Sequence, residues 1–256
     1  MGNSGLICYT KLSPNHSGQR THAIDRITPH CVVGQLSCET ICDCFPAGRN
    51  ASCNYGIGKD GRISLCVEEK NRSWCSSSNA NDQRAVTIEC ASDKSEPFAM
   101  TNAVYTSLVK LCVDICKRNG KKKLLWFGDK VKTLAYNPAA DEMVITVHRW
   151  FANKSCPGDW LYSRLGDLAA QVTAQLSGST NSQTGFPAVP FQVKVTVSDL
   201  NIRKNPSMGN NTTGKFTGTG VFTIVEVKDG WGKLKSGAGW IWLKNSNYCT
   251  VLNTVG

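Results

Sequence analysis

A chain of 256 residues with 41% hydrophobic content is long enough for one medium domain and one small one. It holds no run of about 18 apolar residues, which excludes a helical membrane span, and its first residues, MGNSGLICYTKLSPNHSGQRTHAIDR, lack the basic start and apolar stretch of an export signal. A soluble product made without a signal peptide is expected. The net charge of +10 is shared: residues 1–176 hold 21 Lys+Arg against 16 Asp+Glu and residues 190–256 hold 8 against 3, so the C-terminal part is the more basic for its size. Such a field favours polyanions, with nucleic acid and an anionic Gram-positive wall as the two candidates.

In chain order, RITPHCVVG reads as a buried strand with His30 at its end, and residues 36–46 as a helix bearing Cys38, Cys42 and Cys44. That C-x3-C-x-C spacing has the look of a metal cluster, but incidental thiols on a helix are the preferred reading. Thirteen cysteines in a chain of this size, without an export signal, are expected to be mostly small core hydrophobes kept reduced. In residues 81–91 Val86, Ile88 and Cys90 alternate with Thr87 and Glu89, predicting a strand that turns Glu89 to the face opposite Val86 and Ile88. Residues 96–118 place Met100, Val104, Leu108, Leu111, Cys112 and Ile115 at helical spacing, and the basic run Lys117 to Lys123 is a solvated helix end. MVITVH, residues 143–148, predicts a strand ending on His148, and 160–176 predicts another amphipathic helix. The mixture implies an α/β domain with a central mixed sheet flanked by helices.

From about residue 173 the composition turns to Ser, Thr, Gly and Pro, which sets the expected boundaries at 1–176, a linker at 177–189, and a second domain at 190–256. The second domain consists of short β segments, VKVTV, DLNIR, GVFTIVEV, WGKLK and GWIWL, and predicts a small all-β barrel.

Of four histidines, His30 and His148 stand out by the company they keep. His148 opens HRWFANKSCPGDW, with Cys156 eight residues on. A catalytic zinc site needs three protein ligands and an open position, and two neutral imidazoles with one thiolate meet that chemistry. His30 completes the set only if the fold brings it to His148.

The strings ITPHCVVGQ, YGIGKDGRI, NDQRAVTIE and HRWFANKSCPG, in this order, resemble the type 2 N-acetylmuramoyl-L-alanine amidases, a superfamily that includes phage amidases and animal peptidoglycan recognition proteins. The likeness spans about residues 8–176. It implies a zinc hydrolase with His30, His148 and Cys156 as the metal ligands, Cys156 standing where many relatives have Asp. It implies Lys154 as the residue that steadies the oxyanion, Glu89 as the acidic residue that activates water, and Tyr55 as an active-site tyrosine of the phage-type branch. His16 and His22 match nothing catalytic. The bond implied joins N-acetylmuramic acid to the L-alanine of the stem peptide. The C-x5-C spacing of Cys38 and Cys44 is that of a disulfide in animal recognition proteins.

Residues 190–254 resemble a bacterial SH3 domain through VSDLNIRKNPS, TGKFTGTGVFTIVEV and GWGKLKSGAGWIWL, and such domains commonly bind wall peptides. Alternation puts Trp240 and Trp242 on one face and Ile241 on the other, with one tryptophan expected in the barrel core and another, or Tyr248, in a peptide groove. Together these imply an endolysin-like enzyme, made in the bacterial cytoplasm and admitted by a holin, that acts on the peptidoglycan of a Gram-positive host, with no nucleic-acid partner and no membrane insertion. Two other readings stand beside it: a cell-wall cysteine peptidase using Cys31, and a recognition protein that binds without cutting. Cys31 adjoins His30 on a strand and so faces the other way, and Cys156 is the ligand that non-cutting relatives usually lack.

Overall fold

The computed structural model describes residues 2–177, 186–187, 189–208, 211–245 and 247–252. The chain divides into two units, Met1–Gly178 and Ser179–Gly256, and most of the linker expected at 177–189 lies outside the described residues.

In the first unit the strands are β1 (Ile7–Thr10), β2 (His16–Gln19), β3 (Arg26–Cys31), β4 (Tyr55–Ile57), β5 (Ile63–Leu65), β6 (Asn71–Ser73), β7 (Ala85–Cys90), β8 (Lys123–Leu125) and β9 (Glu142–Ile145). The helices are α1 (Cys38–Asp43), α2 (Asn79–Asp82), α3 (Asn102–Arg118), α4 (Lys130–Ala135), α5 (Asp159–Tyr162) and α6 (Leu165–Leu176). Seven strands form one sheet in the order β1-β5-β4-β7-β3-β9-β8, parallel throughout except for the antiparallel β4–β5 pair, while β2 and β6 form a separate ribbon. This is the mixed sheet with flanking helices that the sequence predicts.

The central strands β3 and β7 are buried along their length, Glu89 alone being half-buried, although polar Arg26, Thr28, His30 and Thr87 alternate with their apolar residues. Pairing in register sets Pro29 beside Ile88 and His30 beside Glu89, with Gly56 of β4 next to Glu89 on its other side. The face that carries Gly56 is roofed by α1: a Cβ at Gly56 would lie 2.7 Å from Ile41 of that helix, so only glycine fits.

Helix α3 starts six residues later than the periodicity of 96–118 predicts. Its N-cap is Thr101, whose hydroxyl accepts from the Val104 backbone N–H, and Glu96 to Met100 form an irregular lead-in. Its apolar stripe, Val104, Leu108, Leu111, Cys112 and Ile115, is fully buried, and α3 packs against α6. The expected helix over 160–176 is broken into α5 and α6 at residues 163–164, and the strand expected over 143–148 stops at Ile145. His148 instead opens a 3-10 turn, His148–Trp150. Nine of the thirteen cysteines are buried and all thirteen are free thiols, Cys38 and Cys44 included.

The second unit holds β10 (Phe191–Val195), β11 (Asn201–Arg203), β12 (Thr212–Phe216), β13 (Gly220–Lys228), β14 (Trp231–Leu234), β15 (Trp240–Trp242) and β16 (Cys249–Leu252), all antiparallel, in the order β12-β11-β15-β14-β13-β10-β16. Its core comprises Phe191, Val193, Val195, Ile202, Ile224, Ile241 and Leu243 among others. Ile241 takes the inward position of β15 in this cluster, and the expectation of a buried tryptophan is met by Trp231 and Trp240, at 4% and 8% exposure, while Trp242 is half-buried. Trp240 and Trp242 occupy the other face, where Trp242 meets Trp231 at a ring separation of 5.0 Å.

A buried ion pair ties the first unit's N-terminal segment to its sheet. The Glu69 carboxylate, fully buried, accepts from both terminal nitrogens of the Arg118 guanidinium and from the Tyr55 hydroxyl, and Tyr55 in turn accepts from the Ser4 backbone N–H. Removing one partner leaves a buried charge uncompensated. Arg118→Ala is expected to lower the unfolding free energy of this unit by about 3–5 kcal/mol, read as a lower urea midpoint.

Candidate functional site

His30 reaches the site from the C-terminal end of β3, the place where an open α/β sheet exposes side chains beyond its strands. His148 arrives from the neighbouring β9: Thr146 N–H donates to Ile27 O at 3.0 Å, which extends the pairing with β3 and delivers the turn at His148 beside His30. The two imidazole centroids are 5.1 Å apart. Cys156 returns on a short loop closed by Arg149 N–H to Cys156 O at 3.1 Å, with the Arg149 side chain held by Ser155 O and Asp159. Gly158 follows in the left-handed region at φ +81°, where a Cβ would lie 2.8 Å from Pro97 O, so glycine is required for the chain to turn away.

The Sγ of Cys156 lies 3.2 Å from His30 Nδ1, and one ligand atom each from His30, His148 and Cys156 fall within 4.8 Å of one another. Three positions separated by up to 126 residues thus meet at one point.

Glu89 lies at the same end of the sheet. Its carboxylate forms a second compact group with His30 and Cys75, whose Sγ is 3.7 Å from Glu89 Oε1. Burial raises the Glu89 carboxyl to about 7, the Cys75 thiol contact and the Arg49 charge opposing it only in part. Burial also lowers His30, with His148 adding to the effect, and lowers His148, where the positive charge of Lys154 adds to it. Both rings are neutral near pH 7, with a lone pair available. Lys154 itself is exposed on the loop between the two ligand candidates.

Tyr55 is not brought to this cluster. It precedes Gly56 on β4, so its side chain points to the opposite face, where it is fully buried and donates to Glu69. The assignment of Tyr55 to the active site is corrected accordingly: burial and then Glu69 raise its hydroxyl, with Ser4 and Arg118 opposing in part, and the group belongs to the packing on the far side of the sheet. Cys31 is buried at 7% exposure within the main hydrophobic core. Sequence reasoning missed Cys75 and Ser77. Ser77 Oγ lies 2.9 Å from His148 Nε2. Neither residue carries a spacing signal, because a loop fold alone brings them in.

Among the described residues, His30 Nε2 and Glu89 Oε2 are buried side-chain atoms with no hydrogen-bond partner. Orphaned buried polar atoms are rare unless something else satisfies them. Two imidazoles and one thiol whose ligand atoms converge are a donor set that zinc accepts, so the residues present fit such an ion.

A family profile described as N-acetylmuramoyl-L-alanine amidase matches residues 20–159, more than half of the chain. The chain belongs to the N-acetylmuramoyl-L-alanine amidase family. It is an enzyme of that class. The matched span takes in His30, Glu89, His148, Lys154 and Cys156. No curated protein matches the chain. Among solved structures it is similar to PlyL (14% identity, TM-score 0.46, over 64% of this chain and 95% of that one). It is similar also to a selenomethionine AmpD derivative (17%, 0.46, 65% and 96%) and to the Ph2119 endolysin from the Thermus scotoductus MAT2119 bacteriophage Ph2119 (15%, 0.43, 62% and 99%).

Metal analysis of the purified chain checks the donor set. About one zinc per chain is expected in the wild type and close to none in Cys156→Ala, whereas Tyr55→Phe is expected to keep the metal.

Proposed function

We propose that this amidase is a zinc-dependent, endolysin-like peptidoglycan hydrolase that breaks the amide bond between the lactyl group of N-acetylmuramic acid and the L-alanine of the stem peptide. The observation that carries the reading is the meeting of His30, His148 and Cys156 within 4.8 Å, with the Glu89 carboxylate beside His30. His30, His148 and Cys156 would hold the ion, which when bound supplies Lewis acidity for amide hydrolysis. Family membership supports the same chemistry.

The chain's own residues divide the remaining work. The neutral rings of His30 and His148 offer lone pairs without giving up protons, and Cys156 serves as a thiolate once its proton has left. Glu89, with its carboxyl near neutrality, takes a proton from the attacking water and returns it to the departing alanine nitrogen. The carbonyl carbon gains the water oxygen and loses the nitrogen, so the products are the free lactyl carboxylate and a new N-terminal alanine. Lys154, on the solvent side of His148, directs positive charge to the carbonyl oxygen as it becomes an oxyanion. Membership of the amidase family speaks against the thiol-peptidase reading.

For the second unit the reading is an SH3-type module that holds the enzyme on a Gram-positive wall. A cavity of about 270 Å³ supports it, lined by Trp231, Trp242, Tyr248, Asp199 and Arg203 among others. Aromatic faces beside one acidic and one basic group suit a short peptide carrying both an amine and a carboxylate. The excess of basic residues in this segment adds attraction to anionic wall polymers.

Digestion of purified Gram-positive walls tests the first part: new alanine amino groups are expected with the wild type, and turnover lowered by about 100-fold or more with zinc retained in Glu89→Gln. Walls that yield no alanine N-termini would remove the reading. Co-sedimentation tests the second: Trp242→Ala is expected to weaken wall binding by about 10-fold while the rate on soluble muropeptides is unchanged.

A further inference from the structure

The loop between β6 and α2 carries a feature that neither the motifs nor the proposed mechanism uses. Ser77 sits in the left-handed region at φ +61°, a conformation uncommon for a residue with a side chain. The loop is held there from below. Asp82, 3% exposed, accepts from the backbone N–H groups of Cys75 and Ser76 and from the Ser76 hydroxyl at 2.6 Å. Asn81, fully buried, donates to Ser76 Oγ and to Thr28 Oγ1, and accepts from Thr146 Oγ1. Thr28 lies two residues before His30 on β3 and Thr146 two before His148, just past β9, so one buried network fixes the strained loop to both histidine-bearing segments. Strain of this kind persists only where surrounding structure over-determines it, and such sites cluster where function needs them.

What the strained geometry delivers is the Ser77 hydroxyl, placed 2.9 Å from Nε2 of His148. We infer that Ser77 is a positioning residue for the metal site: its oxygen accepts the Nε2 proton of His148, fixing the tautomer that leaves Nδ1 unprotonated as the ligand atom. A ring nitrogen that binds a metal needs its partner nitrogen to keep the proton, and a hydrogen bond to that proton sets both tautomer and ring angle. His30 differs in this respect: its Nδ1 is the atom nearest the Cys156 sulfur, and no side chain meets its Nε2. The inference rests on the zinc reading above, yet its first readout needs no metal.

The test uses the full chain and three variants. Ser77→Ala removes the hydroxyl, Ser77→Gly removes it and relaxes the left-handed backbone, and Ser77→Asn restores an acceptor on a residue that tolerates that conformation. Long-range 1H–15N spectra of the metal-free protein at about pH 8, where an ordinary imidazole is neutral, report the His148 proton position. The wild type is expected to show the Nε2–H tautomer, and Ser77→Gly a shift toward Nδ1–H. Competition with a zinc chelator is expected to show affinity reduced about 10- to 100-fold in Ser77→Ala and Ser77→Gly, and recovered in part in Ser77→Asn. Ser77→Gly guards against a loss of fold in Ser77→Ala, since glycine suits the observed φ. An unaltered proton position, or an unaltered zinc affinity, in Ser77→Gly overturns the inference. Wall digestion by the wild type is scored separately: failure to release alanine counts against the amidase reading and leaves the pairing of Ser77 with His148 standing.

Discussion

The parallel register of β3 between β7 and β9 is the constraint on which the rest of the first unit depends. Because β3 pairs with β7 residue for residue, His30 stands directly beside Glu89. Because β9 pairs with the start of β3, the chain leaving β9 arrives at the same end of the sheet carrying His148. A slip of one residue in either pairing would turn the polar side chain to the opposite, apolar face. Burial of both faces makes such a slip costly, so the packing of Ile27, Val86, Ile88 and Ile145 is what holds the chemistry in place.

The two faces of this sheet treat their buried polar groups in opposite ways. On the far face, the Glu69 carboxylate has every near partner it needs in Arg118 and Tyr55, and the arrangement is closed. On the near face, His30 Nε2 and Glu89 Oε2 are buried and unpartnered. The closed network stabilises the fold, because breaking it would strand a charge. The open one leaves buried polar atoms without partners, which costs stability. Tyr55 and Glu89 differ in just this respect, although a likeness of motifs puts them in one site.

The second unit shows the same division on a smaller scale. Ile241 fills the core from β15, while Trp240 and Trp242 lie on the opposite side of that strand, Trp240 buried and Trp242 half-buried against Trp231.

Much of this was legible in the sequence. Strong periodicity placed the buried strands around His30 and Glu89 and the apolar stripe of α3, and abrupt changes of composition separated an α/β part from an all-β part. Ordered motifs named His30, His148, Cys156, Glu89 and Lys154 as chemistry-bearing residues. Element ends were less legible: Thr101 capping moved the start of α3, and the turn at His148 replaced the last residues of a strand, since local hydrogen bonds outweigh apolar patterning at boundaries. Tyr55 was misplaced because one residue of parity on a strand decides which face a side chain takes, and a motif does not carry parity. What the sequence by itself determined is the inventory of candidate ligands, candidate acid and core residues, through residue type and local period. Only the tertiary structure decided that positions 30, 148 and 156 meet, and that Cys75 and Ser77 join them, because contact between residues distant in the chain is set by strand pairing and loop anchoring, which no local pattern encodes.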